Sequence, residues 1–457
     1  MCSDKSFKTS VTAKSRPNKN MIHRLTEIKI HRLILYENKN IILQVLNFSF
    51  SLYNIKTMDE KKIEFKNHRR HVRVWRFARV VFRPILKSMF GYSGEQAPKN
   101  LKGPYIVLSN HNSNIDPIMI GTSFRQQMYF IASEQVYRWG FKSALLKRYF
   151  EPISKIKGAR DVLAITKALR KVKSGYNICL FPEGNRSFNG KTWPVLEATG
   201  KLIKVSGAGL VTYRLEGEYL AFPRWMTGKA RKGKINGRFM HYYSPEELKA
   251  MSVQEITKHI SDDIQENAFE YQEKNMIRYK GKNLAEGMEC AVCICPKCHG
   301  IDVIKTSGNS VSCKNCGHLT DYSEYGFFDD NFNFKNITLW DEWQTEFYKK
   351  YIEENEGVQK PLFTDSRCTL SAISDDHSVV PVGVSEKGDV TDFKFYKDRI
   401  EFSNLTVRLE DINACSIFDR DTFCFSDRTG THYELISDEL KNFRKYTSAL
   451  QILCGLN

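Results

Sequence analysis

The sequence predicts an α/β domain, a sheet flanked by helices, followed by two smaller modules. Three observations lead there. Between residues 58 and 275, strand-like apolar runs alternate with helical patterns, which is the order such a sheet requires. Six of the twelve cysteines gather between Cys290 and Cys316. Beyond residue 360, short strand-like runs succeed one another and close on a helical pattern, Ser437 to Leu453. The expected organisation is a tail over 1–57, the α/β domain over 58–275, a cysteine module over 276–320, a connector over 321–359 and a β-rich module over 360–457. A chain of 457 residues is long enough for several such units, each burying its own core.

The elements can be justified in order. Residues 1–57 are rich in Lys, Asn and Ile and lack the charged, apolar, small order of a secretory signal. The best apolar stretch there, Ile41 to Ile55, is broken by Gln44, Asn47, Ser49, Ser51 and Asn54, so no stretch reaches the roughly 18 residues a spanning helix needs. Met58, followed by DEKKIEFKNHRRH, reads as a more natural start, which makes 1–57 a disordered tail or an over-extended beginning. From Lys66 to Lys87 there are eight Lys or Arg and no acid, with Arg69, Arg73, Arg76 and Arg83 at helical spacing. This is a basic amphipathic helix as far as Pro84. One reading lays it on anionic lipid, with Trp75, Phe77 and Phe82 at the acyl boundary; the other packs it on the core with a solvated basic face. Then come YIVLSNH, QMYFIAS, a helix across Asp161 to Lys173, NICLFPEG and GLVTYRL. A helix opened by SPEE or SVQE follows, each with Ser at the N-cap and Glu three residues later. The connector LWDEWQTEFYKKYIEENEG is aromatic and acidic. Many strands and one closing helix are the order of a small pleckstrin-homology-like barrel.

Lys and Arg exceed Asp and Glu by 69 to 52, a net +17, which favours an anionic partner, either nucleic acid or an anionic membrane. The remaining cysteines are scattered singly, unlike a secreted disulfide framework, so a reducing cytoplasm is expected.

SNHNSNIDPIMIG, Ser109 to Gly121, follows an apolar run and carries His111 and Asp116 in a polar turn. A histidine becomes a useful general base when a carboxylate holds its second nitrogen, fixing the tautomer and stabilising the imidazolium. An isolated H-x-x-x-x-D pair arises easily by chance. Here it is followed by LFPEGNRSFNG, which sets Glu183, Gly184, Arg186 and Ser187 just after the run Ile178 to Phe181. Glycine lets backbone approach an anion, Arg186 offers a fork of donors for phosphate, and Ser187 can add a hydroxyl.

Together NHNSNIDP and FPEGNRS closely resemble the first and third signature blocks of the glycerolipid acyltransferase superfamily, the lysophosphatidic acid acyltransferases among them. The likeness covers about 58–275. It implies an acyl-CoA or acyl-carrier-protein donor and the hydroxyl of a lysophospholipid as acceptor, with lysophosphatidate to phosphatidate the implied reaction. His111 would take the hydroxyl proton, Asp116 would orient the ring, and no covalent acyl-enzyme would form. Three positions depart from the family pattern. Lys155 stands where the second block usually ends in arginine, with Lys157 and Arg160 close by. Asn185 stands where threonine is usual, and GLVTYRLEG lacks a proline. Lys155 and Arg160 are therefore candidate phosphate contacts, or solvated surface cations.

CPKC at 295–298 and CKNC at 313–316 are two knuckles fourteen residues apart, with Gly300 and Gly317 placed to release the turns. Cys295, Cys298, Cys313 and Cys316 at this spacing suit a tetrahedral structural zinc. Cys290 and Cys293 form a further C-x-x-C and are alternative ligands or free thiols. The sequence thus reads as an acyltransferase with a zinc ribbon, peripheral on the inner face of the cell membrane. A zinc-ribbon nucleic-acid-binding protein is the rival, and it leaves FPEGNRS unexplained, which makes nucleic acid the weaker partner. A non-catalytic lipid-binding relative is a third reading, against which the intact His111 and Asp116 stand.

Overall fold

Tyr105–Ser109 is buried at every position, as a strand in the middle of a parallel sheet must be. The computed structural model describes residues 68–158, 162–355, 358–374, 378–382 and 391–456. The tail expected over 1–57 and the candidate Arg160 lie outside the described residues.

The α/β part runs through α1 (His68–Phe90), β1 (Tyr92–Gly94), β2 (Tyr105–Ser109), α2 (Asp116–Ser123), β3 (Met128–Ser133), α3 (Phe141–Tyr149), β4 (Ile153–Lys155), α4 (Val162–Lys173) and β5 (Asn177–Leu180). It continues through α5 (Glu197–Ser206), β6 (Gly209–Glu216), α6 (Glu218–Ala221), β7 (Ile235–Tyr243), α7 (Pro245–Ala250), α8 (Val253–Ile264) and α9 (Ala268–Asn275). The seven strands lie in the order β1-β7-β6-β2-β5-β3-β4, parallel except for the β6–β7 pair. Central β2 pairs Val107 with Cys179 of β5 on one side and Val211 of β6 on the other. The loops that follow β2 and β5 therefore leave the same edge of the sheet side by side, where ligands of open parallel sheets bind.

Both capping boxes form, so the sequence opens two helices there: Ser244 caps α7 and Ser252 caps α8. Helix α1 departs from expectation at its end and decides between two readings at Trp75. It does not stop at Pro84 but runs on to Phe90, because the last turns bury Leu86 and set Phe90 against Phe222, rings 5.0 Å apart. The carbonyl that Pro84 cannot satisfy belongs to Val80, which is exposed to water. Trp75 does not face outward: it is buried, and its indole N–H donates to Phe124 O at 3.1 Å. The exposed face carries Phe77 (69%), Val80 (75%), Phe82 and Met89 with Arg69, Arg73, Arg76 and Arg83. Among the described residues no helix is long and apolar enough to cross a membrane.

Strands β8 (Ile304–Ser307), β9 (Ser310–Cys313) and β10 (Gly317–Asp321) form a small antiparallel sheet in the order β10-β9-β8. Much of the connector is a helix, α10 (Ile337–Glu354), pinned where the buried Trp340 donates to Ile294 O at 3.1 Å. Beyond it lie β11 (Phe363–Ile373), β12 (Val379–Pro381), β13 (Thr391–Phe395), β14 (Arg399–Phe402), β15 (Leu405–Arg408), β16 (Ile412–Phe418), β17 (Thr422–Asp427), β18 (His432–Ser437) and α11 (Arg444–Cys454). These strands make one antiparallel sheet, β15-β14-β13-β11-β18-β17-β16, with β12 paired to β11. The closing helix was expected from Ser437 but begins at Arg444. Ser437 is taken by the sheet, paired with Cys368, and Asn442 is tied to Glu289 O at 3.2 Å before the helix starts.

Candidate active site

The turn after β2 is held by its own side chains. Asn110 bridges to β6, donating to Leu215 O and accepting from Leu215 N, both at 2.8 Å. His111 then projects with its ring stacked on Phe181, centroids 4.1 Å apart and planes 15° apart. Its Nδ1–H donates to Asp116 Oδ2 at 2.7 Å. Asp116 also accepts the N–H groups of Asn112 and Ser113, each at 2.9 Å, and the Ser113 hydroxyl. Ser113 Oγ lies 2.5 Å from Glu218 Oε1 as well. A hydroxyl has one proton to give, so one of these two carboxyl groups must carry a proton back to Ser113. That group is Glu218. Burial and the neighbouring Asp116 charge push its pKa well up, and its Oε2 has no hydrogen-bond partner among the described residues, which a neutral carboxyl tolerates far better than an anion. Burial also opposes the Asp116 charge, but hydrogen bonds with Glu218, His111 and Ser113 outweigh it and bring Asp116 below the usual carboxylate range.

Burial holds His111 below the usual histidine pKa, against the raising effect of Asp116 and with Arg186 and Lys157 adding to the lowering. The ring is therefore neutral near pH 7, with the Nδ1 proton fixed by Asp116 and the Nε2 lone pair free of any partner among the described residues. Such a group can take a proton from a hydroxyl and return it to a leaving group.

The loop after β5 lies against this dyad. Glu183 staples the two loops together: Oε1 accepts His111 N at 2.6 Å and Oε2 accepts Trp193 N at 2.8 Å. Its role in the geometry is to hold backbone, not substrate. Gly184 takes φ +70, a conformation that favours glycine, and its carbonyl accepts Lys157 Nζ at 2.5 Å. Ser187 offers no free donor: it is buried, its hydroxyl donates to Lys191 O at 2.9 Å and accepts Gly190 N at 2.9 Å, and its N–H donates to His111 O at 3.0 Å. Arg186 is not left to water. Its Nη2 donates to Asp419 Oδ1 at 2.5 Å, in the turn between β16 and β17. Lys155 ends β4. Lys157 reaches the loop more directly, donating also to Asn185 Oδ1 at 3.1 Å. Burial, with Arg224 and Lys155 beside it, pushes the Lys157 ammonium well down.

Sequence reasoning did not find Glu218 or Arg224. Arg224 is buried on the Phe188 ring, 3.8 Å from its centroid, and donates to Arg186 O and Ile417 O at 2.7 Å each and to Asp419 O. Neither lies in a block of recognisable spacing, and each acquires its meaning from partners far along the chain.

A second cluster lies in the cysteine module. The sulfurs of Cys295, Cys298, Cys313 and Cys316 all lie within 4.8 Å of one another, with Cys295 to Cys316 at 4.0 Å and Cys298 to Cys313 at 3.7 Å. Zinc–sulfur bonds of about 2.3 Å in a tetrahedron put sulfurs roughly 3.8 Å apart, so this donor set fits such an ion. Lys297 N and Asn315 N donate to Cys295 and Cys313 sulfurs at 3.4 and 3.3 Å. Gly317 turns the second knuckle at φ +80, but in the first the left-handed residue is His299, at φ +58. Gly300 is needed instead for space, since a Cβ there would meet Val303 at 3.0 Å. Cys290 and Cys293 stand outside the cluster, buried, with Cys293 Sγ 2.9 Å from Tyr348 Oη.

Residues 90–213 match a family model described as Acyltransferase. The 1-acyl-sn-glycerol-3-phosphate acyltransferase of Saccharomyces cerevisiae is 33% identical over 132 residues, which span 27% of this chain and 42% of that protein. Among solved structures, that of the 1-acyl-sn-glycerophosphate (LPA) acyltransferase PlsC from Thermotoga maritima is similar at 19% identity and a TM-score of 0.37, covering 56% of this chain and 97% of that one.

Proposed function

Because the chain belongs, through residues 90–213, to the glycerolipid acyltransferase superfamily, we propose that it moves a fatty acyl group from a thioester donor to the hydroxyl of a lysophospholipid. The acceptor is lysophosphatidate and the donor acyl-CoA or acyl-carrier protein. His111 Nε2 takes the acceptor's hydroxyl proton as the oxygen attacks the thioester carbonyl. The carbon–sulfur bond then breaks, and the imidazolium returns the proton to the leaving thiolate, so that ester and free thiol are the products. Asp116 holds the ring in the required tautomer and offsets the imidazolium charge. Arg186, whose charge bears on His111, is the cation that meets the acceptor phosphate, with Lys157 bonded to the same loop.

The observation that carries this reading is the His111 to Asp116 hydrogen bond, with Nε2 left free beside a cation-bearing loop. The four cysteines hold zinc, which supplies no chemistry to the transfer and closes the knuckles. The exposed arginines and apolar side chains of α1 favour a peripheral position on an anionic membrane, on its cytoplasmic face. The test is mass spectrometry of lipids after purified protein is incubated with a panel of lysophospholipids and either donor. Phosphatidate should appear with the wild type and not with His111→Ala; no acylated product with any acceptor would overturn the reading.

A further inference from the structure

Asp419 and Arg186 are 233 residues apart in sequence, yet the only hydrogen-bonded partner of the Arg186 guanidinium among the described residues is the Asp419 carboxylate. The pair is set on a rigid mount. Arg224, buried, ties together the carbonyls of Arg186, Ile417 and Asp419. The Ser416 hydroxyl donates to Asn185 Oδ1 at 2.7 Å, and Arg420 donates to Met226 O at 2.9 Å. Gly158, beside Lys157, meets the same hairpin so closely that a Cβ would lie 2.8 Å from Cys424 O. The β16–β17 turn is thus a wall of the anion loop, and it brings a negative charge where a phosphate is wanted. Arg186 is 13% exposed and Asp419 50%, so the carboxylate lies on the solvent side of the cation it neutralises. A tethered group of this kind is present at high effective concentration and is not diluted away.

We propose that Asp419 is a specificity-determining residue of the transfer: its carboxylate competes with the acceptor's phosphate for Arg186. This rests on the acyltransferase reading above. A phosphomonoester carries about 1.5 to 2 negative charges near pH 7 and meets the most opposition. A phosphodiester that bears a quaternary ammonium is neutral overall and can present its cation to Asp419. The residue therefore handicaps lysophosphatidate against a choline-bearing lysophospholipid, and it gives the C-terminal sheet a part in choosing the acceptor.

The full chain is assayed with both acceptors in mixed micelles, wild type against Asp419→Asn. Asn tolerates the left-handed backbone at this position, φ +49, and Asp419→Gly is a second variant suited to the same turn. Removing the carboxylate should lower KM for lysophosphatidate about fivefold, the scale of a partly exposed ion pair, with kcat unchanged and no such gain for the choline acceptor. In an Arg186→Ala background the same change should do nothing. If KM for lysophosphatidate stays the same or rises while turnover is intact, Asp419 orients Arg186 instead of competing for it, and the inference is overturned while the function stands. If the wild type transfers no acyl group to any acceptor, the functional reading falls. Calorimetric titration with inorganic phosphate then decides separately: tighter binding by Asp419→Asn supports competition at Arg186, and equal or weaker binding overturns it.

Discussion

The loop after β2 and the loop after β5 meet at His111 but are held in opposite ways. In the first, Asp116 collects its donors from His111, Asn112 and Ser113, all within five residues. In the second, Asn185 and Arg186 are held by Ser416 and Asp419, more than 230 positions away. A site assembled from near neighbours is written compactly in sequence and does not depend on another module. A site assembled from distant ones can be tuned by whatever module reaches it.

The largest effect separates the two loops chemically. His111→Ala should lose acyl transfer with the fold intact. Asp116→Asn should cost ~10³–10⁴ in kcat, because an amide no longer fixes the productive tautomer, as triad enzymes show. Near-normal turnover in either variant would break the assignment of the first loop as the reacting one. Next in size is the cysteine module. If the four cysteines hold zinc as proposed, Cys298→Ser with Cys316→Ser should release it and loosen residues 295–316, detected by metal analysis and by hydrogen exchange, since so small a unit would draw its folding energy from the ion. Transfer to a soluble short-chain acceptor should survive, as among the described residues no hydrogen bond joins the four cysteines to His111 or Asp116.

A smaller effect tests the mount of the second loop. Arg224→Met keeps the side chain's bulk over Phe188 but strips three carbonyls of their donor. At a net cost of about 1 kcal/mol per lost hydrogen bond, the variant should lose roughly 3 kcal/mol of stability in denaturant unfolding. It should also raise KM more than it lowers kcat; an unchanged stability and KM would show that the C-terminal sheet does not set the anion loop. The smallest expected change is in pH dependence. On the proposed mechanism neutral His111 is the working form, and burial holds its pKa below the ordinary 6.5, so the acid limb of kcat/KM should have its midpoint below pH 6.5. Activity falls as pH drops through that depressed value. Asp116→Asn removes the carboxylate that raises the His111 pKa, so the residual activity of that variant should show a limb moved further down. A limb moved upward would mean that another group titrates.

How much was legible follows the same division. The alternation of YIVLS, MYFIAS, NICL and GLVTYRLE with helical patterns, and the serines three residues ahead of glutamates at α7 and α8, are local signals, and each became the element it implied. Where burial competed with local preference, the sequence misled. Pro84 reads as a stop, but Leu86 and Phe90 gain a core by continuing the helix. For Trp75 the sequence left the lipid surface and the core both open, and burial decides for the core, where its indole finds Phe124 O. Ser187 reads as a donor to substrate, but its hydroxyl closes a turn.

By itself, then, the sequence determined the pairing of an imidazole with a carboxylate, the glycine-bearing loop after a buried strand and the four-sulfur spacing, because each needs only residues a few positions apart. Tertiary structure alone decided that Glu218 stands behind Asp116 as a neutral acid, that Arg224 binds two modules through their carbonyls, and that Asp419 occupies Arg186. The physical reason is that the charge state of a buried group is set by everything packed around it. That company arrives from α6, from the loop before β7 and from the β16–β17 turn, which no spacing along the chain records.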